Sequence, residues 1–367
     1  MLAIAAGDFL FKIGAFIIVI GLIVLVHEWG HFIAARSVGI RVIRFSIGFP
    51  PKLFSWRRKG TDFQIGMIPF GGYVKMAGIV DESMDDEESA VSGAPDEFMS
   101  KNVWQKTWVI SAGVIMNLVF AWLVAIILAV SQGKAVVEGP IIGGVQKSMP
   151  ADSLGLTAGD RILAVENSPI TTWDDLTKII HATIGKPLTI EWLRGTDTLR
   201  GVVTPLERAL PTESGGSEKV GLIGISPKYR FESIGLWEGV ESGHRVASAI
   251  LMGSLYGFKQ LFTGQASVRE LVGPIGIVQL SGETAKSGLA SFWGFIVLIS
   301  ISVGIINILP FPVLDGGHLV MIWIEAIRRK PISIRVKLAI QQVGIVVLLM
   351  MLLFVSYHDV IRIWSGD

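Results

Sequence analysis

Residues 13–35 read IGAFIIVIGLIVLVHEWGHFIAA. About 20 residues of helix cross the hydrocarbon core of a bilayer, and 13–26 carry no charge. The stretch is therefore expected to be a membrane span that continues through His27, Glu28, Trp29, Gly30 and His31. On a helix, positions i and i+4 share a face, so the His27 and His31 imidazoles can point at one metal ion. Glu28, one residue beyond the first candidate ligand, stands where a general base would meet a water at that ion. In a soluble helix the HExxH pattern is a modest signal. Here the setting sharpens it, because a charged residue at mid-membrane costs about 2.5–3.5 kcal/mol on insertion scales. The bland alternative is a helix end at the interface, where His and Glu simply meet water.

Three further stretches have the same character. Residues 107–133, 287–314 and 338–357 contain no Asp, Glu, Lys or Arg, which makes four expected spans. The composition agrees: 51% of the 367 residues are hydrophobic and 17% charged, against roughly a quarter charged in soluble domains. A net charge of +1 supplies no field for a nucleic-acid partner. With no cysteine, disulfides, thiolate catalysis and cysteine-ligated metal are excluded. The N-terminal stretch lacks a basic flank, carries Asp8 and Lys12, and is expected to stay as a span rather than be cleaved as a signal.

Charge orients the spans. Between 34 and 60 lie Arg36, Arg41, Arg44, Lys52, Arg57, Arg58 and Lys59 with no acid, and 328–337 holds Arg328, Arg329, Lys330, Arg335 and Lys337. Short basic flanks stay in the cytoplasm. Both termini and the segment 134–286 are thus expected outside it.

Between the first two spans, 42–49 and 63–76 are strand-like, and the acidic run 81–97 reads as a solvated linker. In 136–206, Gly155, Leu156, Gly159, Asp160 and Ile162 are followed by Trp173, Asp175 and Leu176. Thr or Asp is the expected cap of a helix there. This pattern resembles a bacterial PDZ domain, which implies an α/β insert whose role is either a gate against bulky substrates or the capture of a chain end. Residues 211–219 read as a loop. The mixed stretch 233–262 reads as an amphipathic helix lying at the interface.

Two histidines leave a catalytic zinc short of its usual three protein ligands. At the end of the third span, Pro310 and Pro312 break the helix beside Asn307, Asp315 and His318. Freed backbone groups of that kind are tolerated only in a buried or wet cavity. Asp315 and His318 are the two candidates for the third ligand, the carboxylate being the more expensive to leave unpaired among apolar residues.

HExxH in a first span, paired with N..P.P.LDG (307–316) in a late one, resembles the site-2 proteases. The insert between the second and third spans narrows the likeness to the bacterial regulator-of-sigma-E type, as do the strings 68–76 and 273–277. That resemblance implies an intramembrane zinc metalloprotease in the bacterial cytoplasmic (inner) membrane. It assigns Zn2+ to His27, His31 and Asp315, water activation to Glu28, and the substrate backbone to Asn307. The strand-like 63–76, with Gly71 and Gly72, offers either an edge that pairs with an extended substrate or a structural hairpin that only seals the site. The implied partners are single-span membrane proteins such as anti-sigma factors and remnant signal peptides, within the lipid bilayer. The chain departs from the group's pattern in having room for one PDZ domain, and in Val114 after Ala112 and Gly113 where a proline is usual. Competing readings are an ion or metal transporter, which would show repeats that are absent here, and an inactive scaffold presenting the PDZ domain.

The expected fold is a polytopic α-helical membrane protein with four transmembrane helices, a membrane-associated β-hairpin and an inserted α/β PDZ domain. Its expected parts are 1–133 and 287–367 as the two halves of the protease core, 134–210 as the PDZ domain, and 211–286 as linker and interfacial helix.

Overall fold

The computed structural model describes residues 2–78, 92–211, 217–265 and 271–365. Most of the acidic run expected as a linker, 81–91, and positions 212–216 of the expected loop lie outside the described residues. The chain divides into two compact units, Met1–Val130 with Leu236–Asp367, and Ser131–Gly235.

The first unit opens with α1 (Leu2–Ser37), the strands β1 (Val42–Arg58) and β2 (Thr61–Met76), and α2 (Val103–Gln132). The second unit carries β3 (Lys134–Val145), α3 (Pro150–Ser153), β4 (Arg161–Val165), β5 (Ser168–Pro169), α4 (Trp173–Ala182), β6 (Leu188–Arg194) and β7 (Asp197–Val203). It continues through β8 (Leu206–Pro211), β9 (Ser217–Leu222) and β10 (Ile225–Glu232). The chain then returns to the first unit with α5 (Leu236–Phe262), α6 (Pro274–Lys286), α7 (Leu289–Ile308), α8 (Asp315–Arg328) and α9 (Ile334–Ser365).

Among the described residues, four helical stretches are long and apolar enough to cross a bilayer: Gly7–Ser37, Val103–Gln132, Leu289–Ile308 and Ile334–Arg362. They coincide with the four expected spans. The third is shorter than 287–314 because Pro310 and Pro312 cannot continue a helix, and α8 starts afresh at Asp315. Apolar side chains such as Leu123, Ile127, Val343 and Leu353 point outward, a surface suited to hydrocarbon rather than water.

The strands are longer than 42–49 and 63–76, since β1 runs past Pro50 and Pro51 to Arg58. Phe45 faces both Val74 and Phe63, and Ile47 both Gly72 and Ile65, while Phe54 and Trp56 pair with Ile65 and Phe63. The ribbon therefore doubles back on itself. The prolines fall where the register shifts, between Phe49 and Lys52, so their missing N–H groups interrupt no ladder. The far part of the ribbon exposes Phe49, Leu53, Phe54 and Met67. Its root is anchored: Val42, Phe45, Val74 and Met76 share a core with Ala34 and Ala35 of α1, Val109 and Ala112 of α2, and Leu319 of α8. That core sets the hairpin, the two histidines and the start of α8 side by side.

The helix expected to lie at the interface, α5, packs against α2. In α5, a Cβ on Gly239 would meet Val130 and one on Gly243 would meet Ile126, and Trp122 Nε1–H donates to His244 Nδ1 at 3.0 Å. Partners on α2 descend as α5 ascends, so the two helices run antiparallel in close contact. Gly239, Gly243 and the fully buried Ala247 recur every four residues, the small-residue spacing that lets helix backbones approach in lipid. Hydrophobic length alone misses this.

In the second unit the sheet order is β10-β3-β4-β6-β7, with β5 on β4 and a separate β8–β9 pair. The helix expected from Trp173 is α4, capped by a reciprocal box between Thr172 and Asp175. Ile142, Ile162, Leu176, Ile190 and Trp192 lie in its core. Sequence places the domain end at 210, but β10 pairs with β3 through Ile225↔Val145 and Tyr229↔Val137. Residues 217–232 thus belong to this unit rather than to a linker. Asp160 of the Gly-Asp motif is 1% exposed and accepts bonds from Arg194 at 2.8 and 2.7 Å. Burial alone would raise its carboxyl; the Arg194 guanidinium and the Thr157 N–H hold it below the usual range.

Candidate active site

His27 and His31 lie one turn apart on α1, and their Nε2 atoms stand 3.2 Å from each other. Asp315, at the first turn of α8, brings Oδ2 to 3.2 Å from His27 Nε2 and 3.4 Å from His31 Nε2. Among the described residues, these three form one group whose donor atoms all lie within 4.8 Å of one another. Both imidazoles are buried, and Asp315 Oδ2 is buried without a hydrogen-bond partner. A buried, unsatisfied anionic oxygen is costly on its own. A cation at the point where the three donors converge removes that cost, and two imidazole nitrogens with one carboxylate oxygen suit zinc with one position left open.

The far sides of the rings matter as much. His31 Nδ1–H donates to the Val109 carbonyl at 2.8 Å, which leaves the Nε2 lone pair free for a metal. His27 Nδ1 faces the Asn117 side chain. Both partners lie on α2, which reaches the rings because position 113 is glycine. A Cβ there would fall 2.8 Å from His27 Nε2 and closer still to His31 Nε2.

Glu28 is half-buried on the wall of a cavity of about 1210 Å³ that also holds His27, His31 and Asp315. Gly71 and Gly72 of β2 and Asn307 at the end of α7 line the same cavity. Gly72 approaches closely: a Cβ on it would stand 3.0 Å from Glu28 Cγ and 2.7 Å from the Ser46 carbonyl. His318, the rival for third ligand, lines the cavity too but is not in the group of converging donors.

Sequence reading passed over two participants. Gln341 of α9 is buried on the cavity wall, and a polar side chain within an apolar span is the signal that could have marked it. Val109 acts through its main chain, which no side-chain pattern reports. Gly113 and Asn117 repeat on α2 the four-residue spacing of His27 and His31.

The description of peptidase family M50 matches residues 15–351 of the chain. This protein belongs to that family. A relative from Rhizobium meliloti (strain 1021) is 32% identical over 361 residues, covering 95% of this chain and 96% of its own. The zinc metalloprotease RasP of Bacillus licheniformis is 28% identical, covering 95% and 99% of the two chains. The regulator of sigma-W protease RasP of Bacillus subtilis (strain 168) is also 28% identical, over 95% and 98%. Among solved structures, the PDZ domain of an SdrC-like protein from Listeria monocytogenes is 20% identical over 26% of this chain and 92% of its own, with a TM-score of 0.20. This M50 member is a zinc metalloendopeptidase of the site-2 protease type, a membrane enzyme of regulated intramembrane proteolysis.

Proposed function

We propose that His27, His31 and Asp315 hold the zinc and that Glu28 is the general base, in an enzyme that cuts transmembrane segments of single-span proteins. The observation that carries this reading is the convergence of the three donors, one of them an orphaned carboxylate oxygen, beside Glu28 in one cavity. Bound zinc supplies a Lewis acid that acidifies water and polarises a carbonyl. Glu28 takes a proton from the attacking water as its oxygen bonds to the scissile carbonyl carbon. The same carboxyl then delivers that proton to the departing amide nitrogen as the C–N bond breaks. Asn307 holds the substrate backbone at the cavity wall.

A peptide bond inside a helix is shielded by its own hydrogen bonds, so the substrate must be extended before it is cut. Among the described pairings, 72–76 has strand partners on one side only, at 42–47. Its other edge, at Gly71 and Gly72, offers backbone groups to an extended substrate. The name of the Bacillus subtilis relative favours anti-sigma factors as substrates, with remnant signal peptides as a second class of single-span chain.

Purified protein tests the ligands directly. Asp315→Ala is expected to lose its zinc, and His318→Ala to keep it, by elemental analysis of both. Full zinc occupancy in Asp315→Ala would overturn the assignment and promote His318.

The basic flanks favour an active site toward the cytoplasmic half of a bacterial inner membrane, with both termini and the segment 134–286 outside. Because the chain has no cysteine, single substitutions report its sidedness. In intact cells with a permeable outer layer, an impermeant maleimide is expected to label Thr196→Cys and to spare Ser92→Cys. Labelling of both, or of neither until lysis, sinks the orientation.

A further inference from the structure

A histidine that binds metal through Nε2 carries its proton on Nδ1, and that N–H needs an acceptor when it is buried. For His31 the acceptor is the Val109 carbonyl at 2.8 Å. His27 has no such main-chain partner among the described bonds. The group facing its Nδ1 is the Asn117 amide, whose Nδ2 lies 3.3 Å away.

With His27 bound to zinc through Nε2, that orientation sets donor against donor. The other end of the same amide, Oδ1, is buried and has no partner. A half-turn about the last side-chain bond exchanges the two ends, gives Oδ1 the His27 N–H, and breaks no bond that Oδ1 now makes. The side chain is well placed to hold such a contact. Asn117 is fully buried at 0% exposure, and Ser300 Oγ–H of α7 donates to its backbone carbonyl at 2.9 Å. A polar amide sealed between two spans is costly unless it is satisfied.

We propose that Asn117 Oδ1 accepts the Nδ1–H of His27 and fixes the tautomer and ring orientation with which His27 offers Nε2 to zinc. Asn117 is thus a positioning residue that touches neither substrate nor metal. The proposal rests on His27 being a zinc ligand.

The test is zinc affinity of the purified full chain, measured by competition with a chromogenic chelator, alongside the absorption spectrum of the cobalt-substituted protein. Asn117→Leu fills the same space without an acceptor. It is expected to weaken zinc binding about 10–100-fold, the usual effect of removing a partner behind a ligand, to shift the cobalt bands, and to lower kcat with KM little changed. Asn117→Asp restores an acceptor and should return affinity to the wild-type value or above it.

Affinity in Asn117→Leu within twofold of wild type, with unshifted cobalt bands, overturns the proposal. If Asn117→Leu does not accumulate, Asn117→Asp decides: zinc held at least as tightly as in wild type supports the acceptor role, and weaker binding refutes it. His27→Ala separates the two layers. Undiminished zinc in that variant means His27 is no ligand, whereas lost zinc in His27→Ala beside normal zinc in Asn117→Leu means only the role of Asn117 is wrong.

Discussion

Glu28→Gln is expected to abolish cleavage of a single-span substrate while leaving the zinc in place. Glutamine keeps the shape that packs against Gly72 but cannot accept a proton from water. Positioned acid–base groups contribute about 10²–10⁴-fold. Glu28 is absent from the group of converging donors, so its loss leaves metal content unchanged. The measurement pairs elemental analysis with single-turnover cleavage of a purified tagged substrate, with a chelator-treated sample as the zero. Zinc-loaded Glu28→Gln that cuts within tenfold of the wild-type rate removes Glu28 from the chemistry.

An equally large loss is expected from one added methyl group. In Gly113→Ala the new Cβ would stand 2.7 Å from His27 Cε1 and 2.8 Å from His27 Nε2, and closer again to His31 Nε2. Those atoms cannot yield cheaply, because α1 and α2 are already in contact behind them: a Cβ on Gly30 would strike the Ala112 carbonyl. Either the helices separate or the two Nε2 atoms leave their places. A displacement of about 1 Å at a reacting centre can cost about 100-fold, and loss of the metal removes activity altogether. Gly21→Ala is the control, since a Cβ there meets nothing within 4 Å and alanine favours the helix. Zinc affinity and cleavage are expected to collapse in Gly113→Ala and to hold in Gly21→Ala. Wild-type zinc affinity in Gly113→Ala means that α2 does not press on the rings.

The spans and the His27–His31 pair were legible because both follow from local rules, apolar length and helical period. So was the start of α4, where Thr172 and Asp175 satisfy each other's backbone. What escaped was decided between elements. Asp315 and His318 are three residues apart on one helix, a spacing that puts both on one face. Spacing left the two open and the resemblance chose Asp315; the approach of α8 to α1 brings that carboxylate to the histidines. The end of the second unit was set too early because a polar loop at 211–219 looks like a boundary, whereas β10 returns to pair with β3. The packing of α5 on α2 did leave a trace, in Gly239, Gly243 and Ala247, but a search for long apolar runs passes over small residues.

The donors come from distant parts of the chain: His31 and Asp315 are separated by 315 − 31 = 284 positions. At about 5–20 residues per second of synthesis, the ribosome reaches Asp315 roughly a quarter of a minute to a minute after His31 has emerged. Throughout that interval the proposed zinc site has only its two imidazoles, with Val109 and Asn117 soon behind them. The third donor of the proposed site comes only with α8. On the proposed ligand set the site is therefore complete only in a nearly finished chain, and a chain truncated before Asp315 lacks one of its three donors.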